Sequence, residues 1–380
     1  MGANAKSSSY EAYMSRVGSE KIPCYEPLVG KEELELLSDV ISRNWLSEGK
    51  YARQFEGQLA KLCQRKYSLA FNNATAAMIA GMKALGLHEG DEVIVPSFTH
   101  PADPNAISNA GATPVFADVD EKTLCLSTET IAAAKTSKTK AILYVALYGN
   151  PGPIAEVADY AKKHGLFLVN DCAAALGSSS NGRQVASYGD FAVLSFFADK
   201  TITTGEGGML LTDNEGLLAE SNIYKHDGRK ERGVDVIERR GFNFRITELQ
   251  AAVGVAQFGK LEIFIRGKRE VLAAYEGRLR GIPEVSLFKF GSGVVPHRVL
   301  IFVPDAAALI SHLVNLGVGV RTTFMPMHSQ PCYGIKKGFP VTEKLYRAGV
   351  CLPSAPALSE KSIGLVCGLI RDFYAKGGKG

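Results

Sequence analysis

Charge of one sign, long apolar runs and paired cysteine motifs are all scarce in this 380-residue chain. Its 43 lysines and arginines face 39 aspartates and glutamates, a net charge of +4. That is too small to argue for nucleic acid or an anionic membrane as partner. No uninterrupted apolar run reaches the roughly 20 residues that a membrane-spanning helix needs. The seven cysteines (Cys24, Cys63, Cys125, Cys172, Cys332, Cys351 and Cys367) are odd in number and widely spaced, with no C-x-x-C. Neither a disulfide framework nor a zinc site is expected from them; reduced, mostly buried thiols in a cytoplasm fit better. The common nucleotide and zinc signatures fail as well. There is no G-x-x-x-x-G-K-[ST], no G-x-G-x-x-G between a strand and a helix, and no H-E-x-x-H, and the seven histidines lack metal spacing. Gly205-Glu206-Gly207-Gly208 is rich in glycine, but a strand pattern follows it rather than a helix.

What remains is an ordinary globular composition, 46 % apolar and 22 % charged, long enough for about two or three domains. Residues 1–20 carry Lys6, Ser7-Ser8-Ser9, Glu11 and Glu20 and lack the apolar core of a signal peptide. Lys6 stands where a myristoylation pattern after Met1-Gly2 needs Ser or Thr. This stretch reads as a flexible extension, and residues 376–380 as a frayed tail. From about residue 55 to 215, apolar β-branched runs alternate with helical patterns. The strand-like runs are 91–96, 114–118, 141–147, 166–169, 191–194 and 209–212, and the helical ones include 75–85, 128–135 and 153–164. Several runs are apolar on both faces, as buried parallel strands are. The rhythm predicts an α/β fold with a mostly parallel sheet covered by helices, and ligands outside the carboxyl ends of its strands. A long amphipathic helix is expected from Thr247 to about Leu279, with Thr247 as its cap. After Gly281-Ile282-Pro283 the pattern turns to short strands and two more helices. The expected division is an extension at 1–20, a large domain at 21–280 including the long helix as a bridge, and a small C-terminal α/β domain at 281–380.

Three places could carry chemistry. Asp171 follows the apolar strand 166–169. An Asp there is commonly a turn residue, but a carboxylate with apolar flanks at a strand end calls for a cationic partner. Lys200 lies just past a strand, in Ser195-Phe196-Phe197-Ala198-Asp199-Lys200, ahead of Thr and Gly. Most lysines are solvated; an amine at the mouth of an apolar strand can have a lowered pKa and act as a nucleophile. Asn73-Ala74-Thr75-Ala76 opens a helix, where free N–H groups and a hydroxyl make either a plain cap or a phosphate cup. Together the three match what pyridoxal 5'-phosphate (PLP) needs: a phosphate cup, a carboxylate at its pyridine nitrogen and a lysine.

With those residues in view, the sequence resembles the DegT-like sugar aminotransferases, which are fold type I PLP enzymes, and within them the perosamine-synthase branch. The strongest block is SFFADKTITTGEGG at 195–208, similar to that family's S-F-x-x-x-K-x-x-x-x-G-E-G-G. GDEVIVPSFT at 90–99, Leu147-Tyr148-Gly149, GFNFR at 241–245, Gly49-Lys50-Tyr51 and Pro326-Met327-His328 support it. The resemblance runs from about Ile22 to Phe373. It implies that Lys200 holds PLP covalently and then moves the proton as general base, and that Asp171 pairs with the pyridinium nitrogen. It assigns the phosphate to Thr75, the Ala74 and Ala76 backbone and Ser195. Asn243 would reach the phosphate of the neighbouring subunit in a homodimer with shared active sites, and His100 would stack on the ring. Trp45, Tyr148, His328 and Tyr333 are the implied sugar contacts, with small-domain packing the other reading of His328 and Tyr333; Arg321, after the strand-like Val318-Gly319-Val320, could hold a substrate anion or make a surface ion pair. Two departures stand out. Ala174 occupies a position where the family has Gln or Glu, and the stretch 295–302, with His297 and Arg298, lacks the aromatic pattern of the perosamine branch. The implied activity is transfer of an amino group from L-glutamate to a keto-sugar, nucleotide-linked in the main reading. Amination of a free keto-sugar, keto-cyclitol or keto-sugar acid, and a PLP-fold protein without catalysis, stay open as alternatives.

Overall fold

A computed structural model describes residues 21–231 and 233–378; the extension expected over residues 1–20 lies outside them. The chain is α/β. Seven strands form one sheet: β1 (Tyr67–Phe71), β2 (Glu92–Pro96), β3 (Thr113–Ala117), β4 (Thr139–Val145), β5 (Phe167–Asp171), β8 (Phe191–Ser195) and β9 (Gly208–Thr212). A two-residue hairpin, β6 (Ser179–Ser180) and β7 (Arg183–Gln184), sits between β5 and β8. The order across the sheet is β1-β9-β8-β5-β4-β2-β3, and only β9 runs antiparallel to its neighbours. Leu143, Val169, Val193 and Leu210 have no exposed surface, because helices cover both faces. Expected strands agree with observed ones within a residue or two. β1 is the strand that the periodicity missed, since Tyr67-Ser68-Leu69-Ala70-Phe71 alternates weakly and lacks a β-branched residue.

The helices before and within this sheet are α1 (Lys31–Ser42), α2 (Lys50–Leu62), α3 (Ala74–Ala84), α4 (Ala102–Ala110), α5 (Thr128–Ala134), α6 (Ile154–Lys163) and α7 (Glu215–Lys225). Helix α3, with the sequence ATAAMIAGMKA, is buried on nearly every side. Its small residues allow that: a Cβ at Gly81 would fall 2.5 Å from the Phe191 ring. The long helix expected over 247–279 is two helices, α8 (Glu248–Gly259) and α9 (Leu261–Leu279), broken at Lys260, whose φ of −104° and ψ of 2° lie outside the helical range. Thr247 caps α8 as expected, its hydroxyl accepting from the Gln250 N–H.

A second, four-stranded sheet follows, in the order β10 (Ser286–Leu287), β11 (Val299–Phe302), β13 (Gly349–Leu352), β12 (Arg321–Thr322), all antiparallel. Helices α10 (Ala306–Asn315), α11 (Pro340–Ala348) and α12 (Glu360–Ala375) accompany it. Val299, Ile301, Leu309, Val350 and Ile370 form its core with Tyr275 of α9. The first described residues belong to this packing too: the Ile22 N–H donates to Gly317 O, and the Ser354 N–H to Cys24 O.

Candidate active site

Where the two sheets meet, a cavity of about 790 Å³ opens at the carboxyl ends of β4, β5 and β8 and the start of α3. Asp171 ends β5 and Ser195 ends β8. The parallel register of β5 with β8 brings these ends to one rim.

Lys200 sits in the loop between β8 and β9. Internal bonds fasten that loop: Thr204 N–H to Phe196 O at 2.9 Å, Phe196 N–H to Gly207 O at 2.9 Å, and Thr204 Oγ1 to Glu206 O at 2.6 Å. Gln250 Nε2 ties it to α8 through Glu206 O at 2.8 Å, and the Tyr25 hydroxyl donates to Lys200 O at 2.5 Å. The amine is therefore held on a fixed backbone. Burial lowers its pKa, and the Arg298 charge adds to that, while Asp199, Asp171 and Asp103 oppose. The net lowering enlarges the neutral, nucleophilic fraction.

The place expected to take a phosphate is built by α3 and β9. Asn73 caps α3 with its Oδ1 accepting the Ala76 N–H at 2.8 Å. The Ala76 N–H is therefore engaged by the cap, while Ala76 itself lines the cavity with Ala74 and Thr75. The N–H groups of Ala74 and Thr75 and the Thr75 hydroxyl remain, at the positive end of a helix. Gly208 makes room here, since a Cβ on it would strike the Asn73 carbonyl and the Ala74 nitrogen. Ser195, paired with Gly208 across β8 and β9, closes the rim.

The other expected residues divide. Asp171, His100, Tyr148 and Arg321 line the cavity with Lys200, Ser195 and Thr75. The His100 ring accepts the Ala102 N–H at Nδ1, 3.1 Å, and is kept neutral by burial and by Lys200, so it offers an uncharged face. Tyr148 is held at φ +55°, an uncommon conformation for a residue with a side chain, and stacks on Phe324 at 5.3 Å. The next residue, Gly149 at φ +94°, leaves no space for a side chain against Val295 O. Ala174 also lines the cavity. His328 and Tyr333 do not. His328 is buried with Nδ1 2.6 Å from Ser97 Oγ and its ring 4.7 Å from Phe339. Tyr333 packs on Phe116 and donates to Asn105 Oδ1 at 2.7 Å. Both are engaged elsewhere in packing. Trp45 is half exposed on the loop after α1 and lies outside the cavity, as does exposed Asn243, although Phe244 beside it is part of the lining.

Sequence reasoning missed a polar group beside Lys200. Asp199 pairs with Arg298 Nη2 and lies 3.9 Å from both Lys200 Nζ and His297 Nε2. Asp199 Oδ1, His297 Nδ1 and Arg298 Nη1 are buried without a hydrogen-bond partner among the described residues. Asp199, His297 and Arg298 all line the cavity, and buried polar atoms left without partners beside it are uncommon in folded proteins. The one sequence signal was the departure of the 295–302 block. Asp103, buried behind Asp171, was missed entirely.

These residues fit PLP: a nucleophilic amine, a buried carboxylate, a helix-start cup and a flat ring face on one cavity. A family model, the DegT/DnrJ/EryC1/StrS aminotransferase family, matches residues 27–371. A GDP-perosamine synthase of Escherichia coli O157:H7 is 36 % identical over 364 residues, covering 93 % of this chain and 99 % of that protein. One from Vibrio cholerae is 34 % identical over 367 residues, at 93 % and 99 % coverage. Among solved structures, DesI, crystallised in the presence of its TDP-sugar product, superposes with a TM-score of 0.88 at 31 % identity, covering 94 % of each chain.

Proposed function

The chain belongs to the DegT/DnrJ/EryC1/StrS aminotransferase family, and on that footing we propose that it transfers an amino group from L-glutamate to a nucleotide-linked keto-sugar, of the 4-keto-6-deoxy kind. The observation that carries the reading is the meeting of Lys200, Asp171 and the Thr75 cup on one cavity. It is a PLP-dependent enzyme of fold type I. Bound PLP supplies an electron sink for the carbanion that forms when the donor's Cα proton leaves.

The chain's own groups then have separate tasks. Thr75, the Ala74 and Thr75 N–H groups and Ser195 bind the phosphate and fix the ring's position. Asp171 would pair with the ring nitrogen. His100 would stack on the ring. Lys200 would supply the nucleophile and the base, taking the donor's Cα proton on Nζ and returning it on the other side of the transfer; a positioned base of this kind contributes roughly 10²–10⁴-fold. The polar side chains of Asp199, His297 and Arg298 on the cavity wall suit hydroxyls of a sugar, which donate and accept at once. Arg321 on the rim suits a phosphate of the nucleotide.

Trp45 and Asn243 enter through a second subunit in this reading, as a homodimer with shared sites. Leu34, Ile41, Trp45 and Leu46, exposed together on α1 and the loop after it, support such an interface. No disulfide joins the described cysteines and six of the seven are buried, which suits a cytoplasmic protein. No helix among the described residues is long and apolar enough to cross a membrane.

The test is a panel of nucleotide-linked and free keto-sugars with L-glutamate, reading out 2-oxoglutarate. Turnover confined to the free sugars would replace the substrate class. Lys200→Ala is expected to abolish turnover while the circular dichroism spectrum stays that of the native fold; transamination at the wild-type rate would refute the assignment of Lys200.

A further inference from the structure

Asp103 has no exposed surface and lies in the first turn of α4, behind Asp171 as seen from the cavity. The Thr99 hydroxyl donates to its Oδ2. Its Oδ1 has no donor among the described residues, and its carboxyl lies within side-chain hydrogen-bonding reach of the Asp171 carboxyl. Asp171 is better provided for: its Oδ1 accepts the Ala173 N–H at 2.7 Å. The charged groups facing the pair are Lys200, which acts on both carboxyls, and His100, which acts on Asp171 and is held neutral. No lysine or arginine among the described residues hydrogen-bonds to either carboxyl.

Two buried carboxylates in contact cannot both stay ionised, so the pair holds one proton. Burial and the charge of Asp171 drive the Asp103 pKa well above the usual carboxylate range. Burial also raises Asp171, but the Ala173 N–H, Asp103 and Lys200 hold it back. The proton therefore stays on the inner group.

We propose that Asp103 is a positioning residue, protonated in the folded protein, whose Oδ1–H donates to Asp171 and holds that carboxylate ionised and aimed into the cavity. A hydrogen bond donated to Asp171 makes it a weaker base, so a proton shared between Asp171 and the ring nitrogen of PLP stays on the ring. That consequence rests on the proposed placement of Asp171 at the ring nitrogen; the protonation of Asp103 does not.

The experiment begins with PLP-free protein. Infrared difference spectra in deuterated and ordinary buffer should show the carbonyl stretch of a buried protonated carboxyl at neutral pH. Asp103→Asn, which is isosteric and keeps an N–H donor toward Asp171, should lose that band. The proteins are then loaded with PLP labelled with nitrogen-15 in the ring. Asp103→Asn should keep the protonated-ring shift of the wild type. Asp103→Ala should move it toward the unprotonated value and weaken PLP retention roughly tenfold to a hundredfold, the range for a lost charge-assisted hydrogen bond. No carboxyl band in the wild type, or a band that persists in Asp103→Asn, overturns the proposal. So does a wild-type ring shift in Asp103→Ala. If Asp103→Ala does not fold, the band comparison with Asp103→Asn still decides the protonation. Failure of the enzyme to bind PLP would count against the function and leave the band comparison intact.

Discussion

Asp199 is the carboxylate paired with the amine of Lys200, at 3.9 Å, with a fifth of the lysine side chain and under a third of the aspartate exposed. Two unit charges about 4 Å apart interact by roughly 1 kcal/mol in water and roughly 4 kcal/mol near a protein surface. Partial exposure and the competing Arg298 put the working value at about 1–2 kcal/mol, which is about five- to thirtyfold in the fraction of free amine. The sign follows from the charges. Asp199 favours the ammonium, so Asp199→Asn removes an anion, leaves Arg298 unopposed and enlarges the neutral fraction at a given pH. Arg298→Leu does the reverse, because it deletes a cation and frees Asp199 to act on Lys200. The assay is timed borohydride trapping of PLP on PLP-free protein across a pH series, with the tagged peptide quantified by mass spectrometry. Near neutral pH the Asn variant should label about five- to thirtyfold faster than wild type, and the Leu variant slower by a similar factor. The three curves should converge at high pH, where Lys200 is neutral in all. Variants that shift in the same direction, or pH profiles that superimpose, would refute the view that this ion pair sets the amine's reactivity.

Other expectations concern stability. Glu248 is fully buried and accepts the N–H groups of Gly49, Tyr51 and Ala52, at 2.9, 2.7 and 3.2 Å, at the start of α2. Glu248→Ala orphans all three, at roughly 1–3 kcal/mol each. Allowing for water entering at the helix end, the urea midpoint should report a loss of about 3–5 kcal/mol, and a loss under about 1 kcal/mol would contradict the capping role. Burial works to raise Glu48, but hydrogen bonds from His226 and the charge of Lys225 overcome it and hold its pKa at about 2, below the ordinary 4.5. Its contribution, on the order of 3 kcal/mol, is present above about pH 4.5 and lost as pH falls through about 2. Acid titration of Glu48→Gln should lack that component. Lys268 is buried, and burial together with Arg298 lowers its pKa from 10.5 to about 7. The unfolded chain binds the extra proton between those values, so wild-type stability rises with pH across that window. Lys268→Met should melt higher than wild type at pH 7, by a margin that shrinks toward about pH 10.5; a margin independent of pH would point to packing instead.

The parallel strands were legible in the sequence because a strand buried on both faces must be apolar throughout, as 141–145 and 191–194 are. Lys200, Asp171, Thr75 and Ser195 were legible because each follows or ends an apolar strand or opens a helix, so their place at the carboxyl edge of the sheet follows from local order. Other features depended on contacts between segments far apart in the chain. Asp103 reads as a helix-start residue until α4 brings it against the end of β5. Asp199 and Arg298 read as surface charges until the second sheet closes over the first and pairs them beside Lys200. His328 and Tyr333 share a motif-rich stretch with the site, yet the packing of Phe339 and Phe116 directs them away from it. The break at Lys260 left no mark on the amphipathic pattern. The sequence by itself determined which candidate side chains stand at strand ends and the helix start, because strand and helix periods are local. Only the tertiary structure decided their charge states and partners, because desolvation and Coulomb energy depend on distances through space.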